Sequence, residues 1–528
     1  MARPKIAIVN SSSGLSSCYS HLDDLAVVVK EAVADAGGLA FEIRTAAPSD
    51  FVTSAGRSGR YLMPSRDLVV NDVEVQVEGA VLDGMVCLAS CDKTTPAQLM
   101  AAARLDIPTI IVIGGFQSAG SLDGERVDID TVYECIGRYS RGDVSLDQLT
   151  AFTEHAITSP GVCAGLGTAN SMHIMAEALG MTMPGSAPVR ATSETMNHLA
   201  RQAGERIVAM IGEELRPRAI LTPGAFLNAV RVALAIGASV NVVRHLAAVA
   251  VEAGLDLDVV RLIEEAQDTP LLCGVKPNGP ALVEDLEDAG GCGAVLSRLS
   301  DMIDLDQLTV SGLTIGEVLE ESERKPGDLL RTVDDPYAPF SGLMILRGTL
   351  APNGAIVKRS AVEGALSTFT GPARVFRTEA EAMDALGSGE IQAGDVVVLR
   401  GLGPKGGPGT VFAASFVAAV AGAGMATEIA VVTDGELSGL NRGLTVGQVM
   451  PEAAEGGPLA AVRDGDMIEI DLDRRALDLV VPADEVAERL AGEPVLDPAP
   501  RGWLQIYRRN VSPIEHGATI VGEPERRQ

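Results

Sequence analysis

Seven cysteines stand at positions 18, 87, 91, 135, 163, 273 and 292, and three of them share a setting. Cys18 follows Ser16-Ser17, Cys91 lies between Ser90 and Asp92, and Cys163 is embedded in Gly161-Val-Cys-Ala-Gly165. Each of these small or polar turns comes just before a stretch with helical patterning. Free backbone N–H groups at a helix start favour anions, so a thiol placed there ionises more readily and becomes a better metal ligand. Three such thiolates from one domain could converge on a metal centre that keeps an open coordination position. Three unrelated buried cysteines are the other reading, and spacing alone does not separate the two. Cys87, within an apolar run, and Cys135, on a helical pattern, read as packing residues. Around Cys91 the sequence Ser90-Cys-Asp-Lys-Thr-Thr-Pro96 puts a soft thiol, a hard carboxylate and an amine on one strand-to-helix turn.

Two further stretches have the composition of sites. Gly401-Leu-Gly-Pro-Lys-Gly-Gly-Pro-Gly409 follows an apolar run, precedes a helical pattern and matches G-x-G-x-x-G, with Asp434 closing the next strand. Pro404 and Pro408 remove N–H groups that a pyrophosphate would need, and no series of βαβ units is evident around the match, so it is a weak dinucleotide signal. Ser438, in Asp434-Gly-Glu-Leu-Ser-Gly439, sits in a turn after the strand pattern 429–433, where a hydroxyl is exposed enough for proton transfer. Most such serines are simple loop residues. No G-x-S-x-G elbow is present, and the six histidines offer no partner in sequence. His173 and His245, on amphipathic patterns, read as core or surface residues.

The elements that must position these groups begin as an alternation. Residues 5–10, 39–43, 85–88 and 108–114 read as strands, with helices over 19–36, 66–81 and 96–105. Strands so uniformly apolar imply a parallel sheet with helices on both faces. Residues 145–265 read as mostly helical, with segments at 168–179, 194–213, 223–236 and 241–253. The acidic runs 284–291 and 317–323 read as solvated surface. Three prolines make 325–339 a candidate linker, dividing the chain into domains 1–335 and 336–528. Beyond it, short strand patterns at 342–347, 355–358, 395–400, 428–433, 467–471 and 476–481, with helices at 379–386, 412–421 and 483–490, suggest a β-barrel-like α/β domain.

At 528 residues, with 46% hydrophobic residues, 57 glycines and 3% aromatics, the chain supplies an ample core built from Ala, Val, Leu and Ile. A formal charge of -29 repels phosphate backbones and anionic membranes, so nucleic acid is an unfavourable partner. No apolar run reaches the ~20 strongly apolar residues of a membrane span. The odd, scattered cysteine set fits a reducing compartment, and a cytoplasmic location is expected.

Taken in order, Asn10-Ser-Ser-Ser-Gly-Leu-Ser-Ser-Cys18-Tyr-Ser-His-Leu22, Cys91-Asp-Lys-Thr-Thr-Pro-Ala97, Leu105-Asp-Ile-Pro-Thr109, Gly161-Val-Cys-Ala-Gly-Leu-Gly-Thr-Ala-Asn-Ser-Met172, Gly403-Pro-Lys-Gly-Gly-Pro-Gly409, Thr433-Asp-Gly435 with Ser438-Gly439, and Pro451-Glu-Ala-Ala-Glu-Gly-Gly-Pro458 resemble the family of dihydroxy-acid, sugar-acid and 6-phosphogluconate dehydratases. The resemblance spans nearly the whole chain and draws the glycine-rich stretch away from NAD. It implies a parallel α/β N-terminal domain, a β-barrel-like C-terminal domain carrying the catalytic serine, and a homodimer or dimer of dimers. It also implies a 2Fe-2S cluster on Cys18, Cys91 and Cys163, and Mg2+ on Asp50, Asp92 and a carbamylated Lys93, with Ser438 as the base. A carbamate supplies the hard oxygens that Mg2+ prefers, which an ammonium cannot. The implied reaction converts a 2,3-dihydroxy or sugar acid to a 2-keto acid, by loss of the C2 proton and iron-assisted loss of the 3-hydroxyl, in amino-acid biosynthesis or sugar-acid metabolism. A diverged member that keeps the cluster for a binding role is the alternative. Two departures stand out: Phe412 occupies the position of a family Mg2+-binding glutamate, and Leu437 that of the usual phenylalanine. Either another acid substitutes, with Glu436 the candidate at a position where the family usually has a basic residue, or the cation is bound weakly or not at all.

Overall fold

The computed structural model describes residues 3–53, 60–140, 142–322, 326–362, 366–407, 413–439, 441–492 and 501–521. Phe412, Pro408, Gly409, Lys325 and the tail 523–528 lie outside the described residues.

The expected alternation is present. In order come β1 (Lys5–Asn10), α1 (Leu22–Asp35), β2 (Leu39–Arg44), α2 (Leu62–Gly79), β3 (Gly84–Ala89), α3 (Thr94–Leu105) and β4 (Thr109–Ile113). The four strands form one parallel sheet in the order β2-β1-β3-β4, with Ile6 opposite both Ala40 and Gly84, and Met85 opposite Thr109. β3 and β4 are buried along their whole length, which is why their sequences are continuous apolar runs, whereas edge strand β2 is half-exposed. From β1 the chain crosses to one side of the sheet and from β3 to the other. The carboxyl ends of β1 and β3 therefore border the crevice that this topology leaves open. Cys18 lies in the turn that follows β1, and Cys91 in the turn that follows β3.

Helices α4 (Thr168–Ala178), α5 (Glu194–Glu213), α6 (Pro223–Ile236) and α7 (Asn241–Glu252) cover this sheet and extend the core. Two begin on side-chain caps: Ser193 accepts from the Met196 N–H, and Thr222 from the Ala225 N–H with Pro223 in the first turn. α5 lies so close to α1 that a Cβ on Gly204 would stand 2.7 Å from the Ala32 methyl and 2.8 Å from the Val29 carbonyl oxygen. The acidic segment 284–291 is only partly solvated surface. Val283–Asp288 is helical with Val283 and Leu286 buried, and Glu284 and Asp285 are paired with Arg126 at 3.0 Å. A short hairpin, Gly120–Leu122 with Glu125–Val127, was not expected from the sequence.

The C-terminal part contains β5 (Met344–Leu346), β6 (Gly354–Val357), β7 (Thr368–Phe376), α8 (Glu379–Ser388), β8 (Val396–Leu399), α9 (Ala414–Gly422), β9 (Ala430–Thr433), β10 (Leu444–Met450), β11 (Met467–Asp471) and β12 (Ala476–Leu479). They form one mixed sheet in the order β12-β11-β7-β8-β9-β10-β6-β5. A bridge from Arg347, just past β5, to Ala476 of β12 brings the two edges together, so the sheet is nearly a closed barrel. Val396, Val398, Val432, Val446, Ile468 and Ile470 fill its interior, while the alternate residues Val397, Leu399 and Val431 face the main core. β7, β8, β9 and β10 are mutually parallel. The units β7-α8-β8 and β8-α9-β9 are thus the βαβ pattern that was not evident around the glycine-rich stretch. β7 was hidden because Gly371-Pro372 reads as a turn, and β10 because Gly447 interrupts it.

β9 and β10 are parallel, yet residues 434–443 alone join them, with no helix among the described residues. This return crossover carries Ser438 and lies against α3, α4 and α7. Finally α10 (Trp503–Asn510) and the segment after it return to the start of α2, where Trp503 Nε1 donates to the Pro64 carbonyl at 2.9 Å and Arg66 to that of Ala518 at 2.8 Å. Among the described residues no helix is long and apolar enough to cross a membrane.

Candidate active site

The turn from β3 to α3 is shaped by its own hydroxyls. Ser90 N–H donates to Thr94 Oγ1 at 2.8 Å, and Ser90 Oγ donates to the Cys18 carbonyl at 2.6 Å, tying this turn to the one after β1. Cys91 is held at φ 74°, in the left-handed region that a non-glycine residue seldom adopts. Such strain persists where the surroundings over-determine it. The buried thiols of Cys18 and Cys91 are hydrogen-bonded to each other; this holds Cys18 below its ordinary pKa and, with burial, pushes Cys91 up. Burial first, and then the charge of Cys18, raises Cys163.

Asp50 approaches from the short helix Asp50–Thr53, and its Oδ1 accepts from Cys91 Sγ at 3.3 Å. Ligand atoms of Asp50, Cys91 and Asp92 all lie within 4.8 Å of one another. Burial, and then the neighbouring carboxylates Asp50 and Glu436, raise Asp92 well above the usual range. Such crowding of buried acids favours a cation. A cleft is lined by Asp50, Tyr133, Cys163, Ser438, Asn441 and Arg442. Asp130 and Glu134 also line it: Asp130 pairs at 3.4 Å with Lys276, itself 2.8 Å from Asp128, and Glu134 pairs with Arg442 at 3.0 Å.

Lys93 is fully buried, with Nζ 3.2 Å from Glu436 Oε2 and 3.5 Å from His245 Nε2. Arg244 flanks Glu436 at 3.6 Å. His245 meets Arg66 at 3.4 Å through its other nitrogen, Nδ1. Burial, and then Lys93, Arg66 and Arg244, push the imidazole far below its ordinary pKa, so it is neutral and has one N–H and one acceptor nitrogen. Facing a cation on both sides, it must set its N–H against a donor. A carbamate on Lys93 removes the conflict, because carbamate oxygens accept from Nε2–H while Nδ1 accepts from Arg66. The residues present therefore fit both a carbamylated Lys93 and the hard cation it would help to hold.

The described part of the glycine-rich loop, residues 401–407, does not offer a phosphate cradle. Asp434 takes the N–H groups of Gly401, Leu402 and Ala453 at 3.1, 2.9 and 3.0 Å. Glu452 takes those of Lys405 and Gly406, each at 2.9 Å, and burial followed by the nearby Asp434 raises it to about 8. Asp434 is thus the loop's own anchor and not a ribose ligand.

The family model for the N-terminal part of the dihydroxy-acid/6-phosphogluconate dehydratases matches residues 3–318, and that for the C-terminal part matches residues 328–518. The chain belongs to this dehydratase family. Dehydratases of this family are hydro-lyases. Proteins named dihydroxy-acid dehydratase from Methanococcoides burtonii and Carboxydothermus hydrogenoformans are 40% and 41% identical to it, over 98% and 99% of this chain and 94% and 95% of theirs. One from Nitratidesulfovibrio vulgaris is 41% identical over 98% of this chain and 94% of its own.

The structure sets Cys18 beside Cys91, brings ligand atoms of Cys91, Asp50 and Asp92 within 4.8 Å of one another, lines one cleft with Asp50, Cys163 and Ser438, and sets Lys93 beside Glu436 on the buried side. Sequence reasoning passed over Arg66, Arg244 and the contact of His245 with Lys93. A histidine next to an arginine on an otherwise apolar helix, Asn241-Val-Val-Arg-His-Leu246, was the available signal.

Proposed function

We propose that this chain dehydrates a 2,3-dihydroxy carboxylic acid, in the first place a branched-chain one, to the corresponding 2-keto acid. The observation that carries the reading is the meeting of two hard carboxylate donors, Asp50 and Asp92, with the thiols of Cys18 and Cys91, beside a cleft that also holds Cys163 and Ser438. When bound, a 2Fe-2S cluster on Cys18, Cys91 and Cys163 supplies Lewis acidity for a departing hydroxyl, and Mg2+ on Asp50, Asp92 and carbamylated Lys93, with Glu436 the further carboxylate at hand, supplies positive charge for the substrate carboxylate.

Ser438 is the base. Held as its alkoxide by the positive charge the bound cations would supply, its Oγ takes the proton from C2, the C2–C3 double bond forms as the 3-hydroxyl leaves and takes up a proton as water, and the enol loses its O–H proton and gains one at C3 to give the ketone. Arg442 and Lys276, held by acid partners in and beside the cleft wall, keep its electrostatics balanced.

The test is 2-keto acid formation from a panel of branched-chain dihydroxy acids and aldonic acids, using anaerobically purified protein with and without Mg2+. Turnover of a branched-chain dihydroxy acid is expected, together with visible iron-sulfur absorbance. Absorbance without turnover on any member of the panel sinks the reading in favour of a cluster-bearing binding protein.

A further inference from the structure

The turn that carries Ser438 is pinned at three successive carbonyl oxygens. Asn241 Nδ2, at the start of α7, donates to the Leu437 carbonyl at 2.8 Å. The Ser438 carbonyl accepts from the Asn441 N–H at 3.3 Å. The Gly439 carbonyl accepts from Lys358 Nζ at 2.8 Å. Lys358 follows β6 and is buried to 1% exposure. Asn241 is buried completely, and its same Nδ2 also reaches Thr168 Oγ1 at 3.0 Å. Gly439 in turn presses on the start of α4, where a Cβ would come within 2.7 Å of Gly167 Cα and the Thr168 nitrogen.

A buried lysine is costly unless its N–H groups are used, and the partner it donates to here is a backbone carbonyl beside the proposed base. Asn241 and Lys358 grip the carbonyls on either side of Ser438, one from the N-terminal helices and the other from the C-terminal sheet. A serine that must meet a C–H bond needs its Cα fixed to a fraction of an ångström, and a misplacement of about 1 Å costs ~100-fold in rate.

We infer that Lys358 and Asn241 are positioning residues for proton abstraction, a clamp that sets Ser438 against the substrate C2 across the join between the two parts of the chain. The inference rests on the reading of Ser438 as the base. Lys358→Met fills the space but cannot donate; Asn241→Asp keeps the shape and loses the donor. Both are compared with the wild type and S438A, with 2,3-dihydroxy-3-methylbutanoate carrying hydrogen or deuterium at C2 as the probe.

The clamp predicts that each variant keeps its iron-sulfur absorbance and that KM stays within about threefold, while kcat falls roughly 10- to 100-fold. The deuterium isotope effect on kcat should rise, because C–H cleavage becomes more rate-limiting. A kcat within twofold of wild type in both variants, with S438A inactive, overturns the clamp and leaves the assignment of the base intact. So does a loss of rate that only tracks lost folded protein, with the isotope effect unchanged. If S438A is as active as the wild type, the base assignment falls and the clamp with it.

Discussion

Lys358 carries a second consequence that can be measured without substrate. Burial lowers its pKa from 10.5 to about 7, against the opposing pull of Asp130, while the unfolded chain keeps the ordinary value. Between those two pH values the unfolded chain holds a proton that the folded protein has released. Folding stability from this group therefore rises with pH, by about 1.4 kcal/mol per unit, and is flat below pH 7. Measured by denaturant unfolding, the stability advantage of Lys358→Met over wild type is expected to shrink from pH 7.5 to pH 9. A difference that stays constant over that interval would count against a neutralised lysine. This residue was not legible as part of a site: it ends an ordinary strand pattern, and its partner Gly439 is 81 positions away. Glu436 stood out in the sequence as a possible substitute acid, but its pairing with Lys93, 343 positions away, did not. The cysteines and Asp92-Lys93 were legible because their chemistry is concentrated in turns, whereas the groups around Lys93 are assembled by tertiary contact from α2, α7 and the crossover.

At the scale of elements, the return crossover from β9 to β10 decides where the serine stands. A parallel connection normally travels through a helix lying on the sheet. Here the return is made in ten residues, of which Glu436, Leu437 and Gly439 meet the starts of α3, α7 and α4. The close approach at Gly439 admits no side chain, because the atoms a Cβ would meet are backbone. Gly439→Ala must therefore lift the crossover from α4 by several tenths of an ångström, at a cost of about 1–3 kcal/mol for overpacking. The expected outcome is a folded protein with intact cluster absorbance and at least tenfold lower kcat; wild-type turnover would show that the approach has no bearing on Ser438. The sequence displayed this crossover only as a polar turn. Its neighbours β3, β4, α5 and α6 were readable to within a residue or two because continuous burial or helical periodicity shaped them, with caps at Ser193 and Thr222. β7 and β10 escaped because glycine and proline within them mimic turn signals, although pairing on both sides holds them extended.

For the molecule as a whole, the chain's end is fastened to its beginning next to the candidate site. Arg66 and Asp67 are both almost wholly buried and lie 3.0 Å apart; Arg66 also donates to the Ala518 carbonyl and meets His245, while Asp67 accepts from the Ile520 N–H at 3.2 Å. Burial raises the Asp67 carboxyl, and the Arg66 charge is the largest influence opposing that rise. Removing one member of such a pair leaves the other as an uncompensated buried charge, which costs about 3–5 kcal/mol, whereas replacing both by apolar groups can be nearly neutral. Arg66→Met is therefore expected to lower the Tm of the full-length protein markedly, and the double variant Arg66→Met/Asp67→Leu to recover part of that loss. Because Arg66 also settles the hydrogen bonding of His245 beside Lys93, the single variant is expected to lose Mg2+-dependent turnover under conditions where it remains folded. A double variant no more stable than the single one would mean that Arg66 acts through the Ala518 carbonyl and the packing of Tyr507 and Trp503, and not through its charge on Asp67.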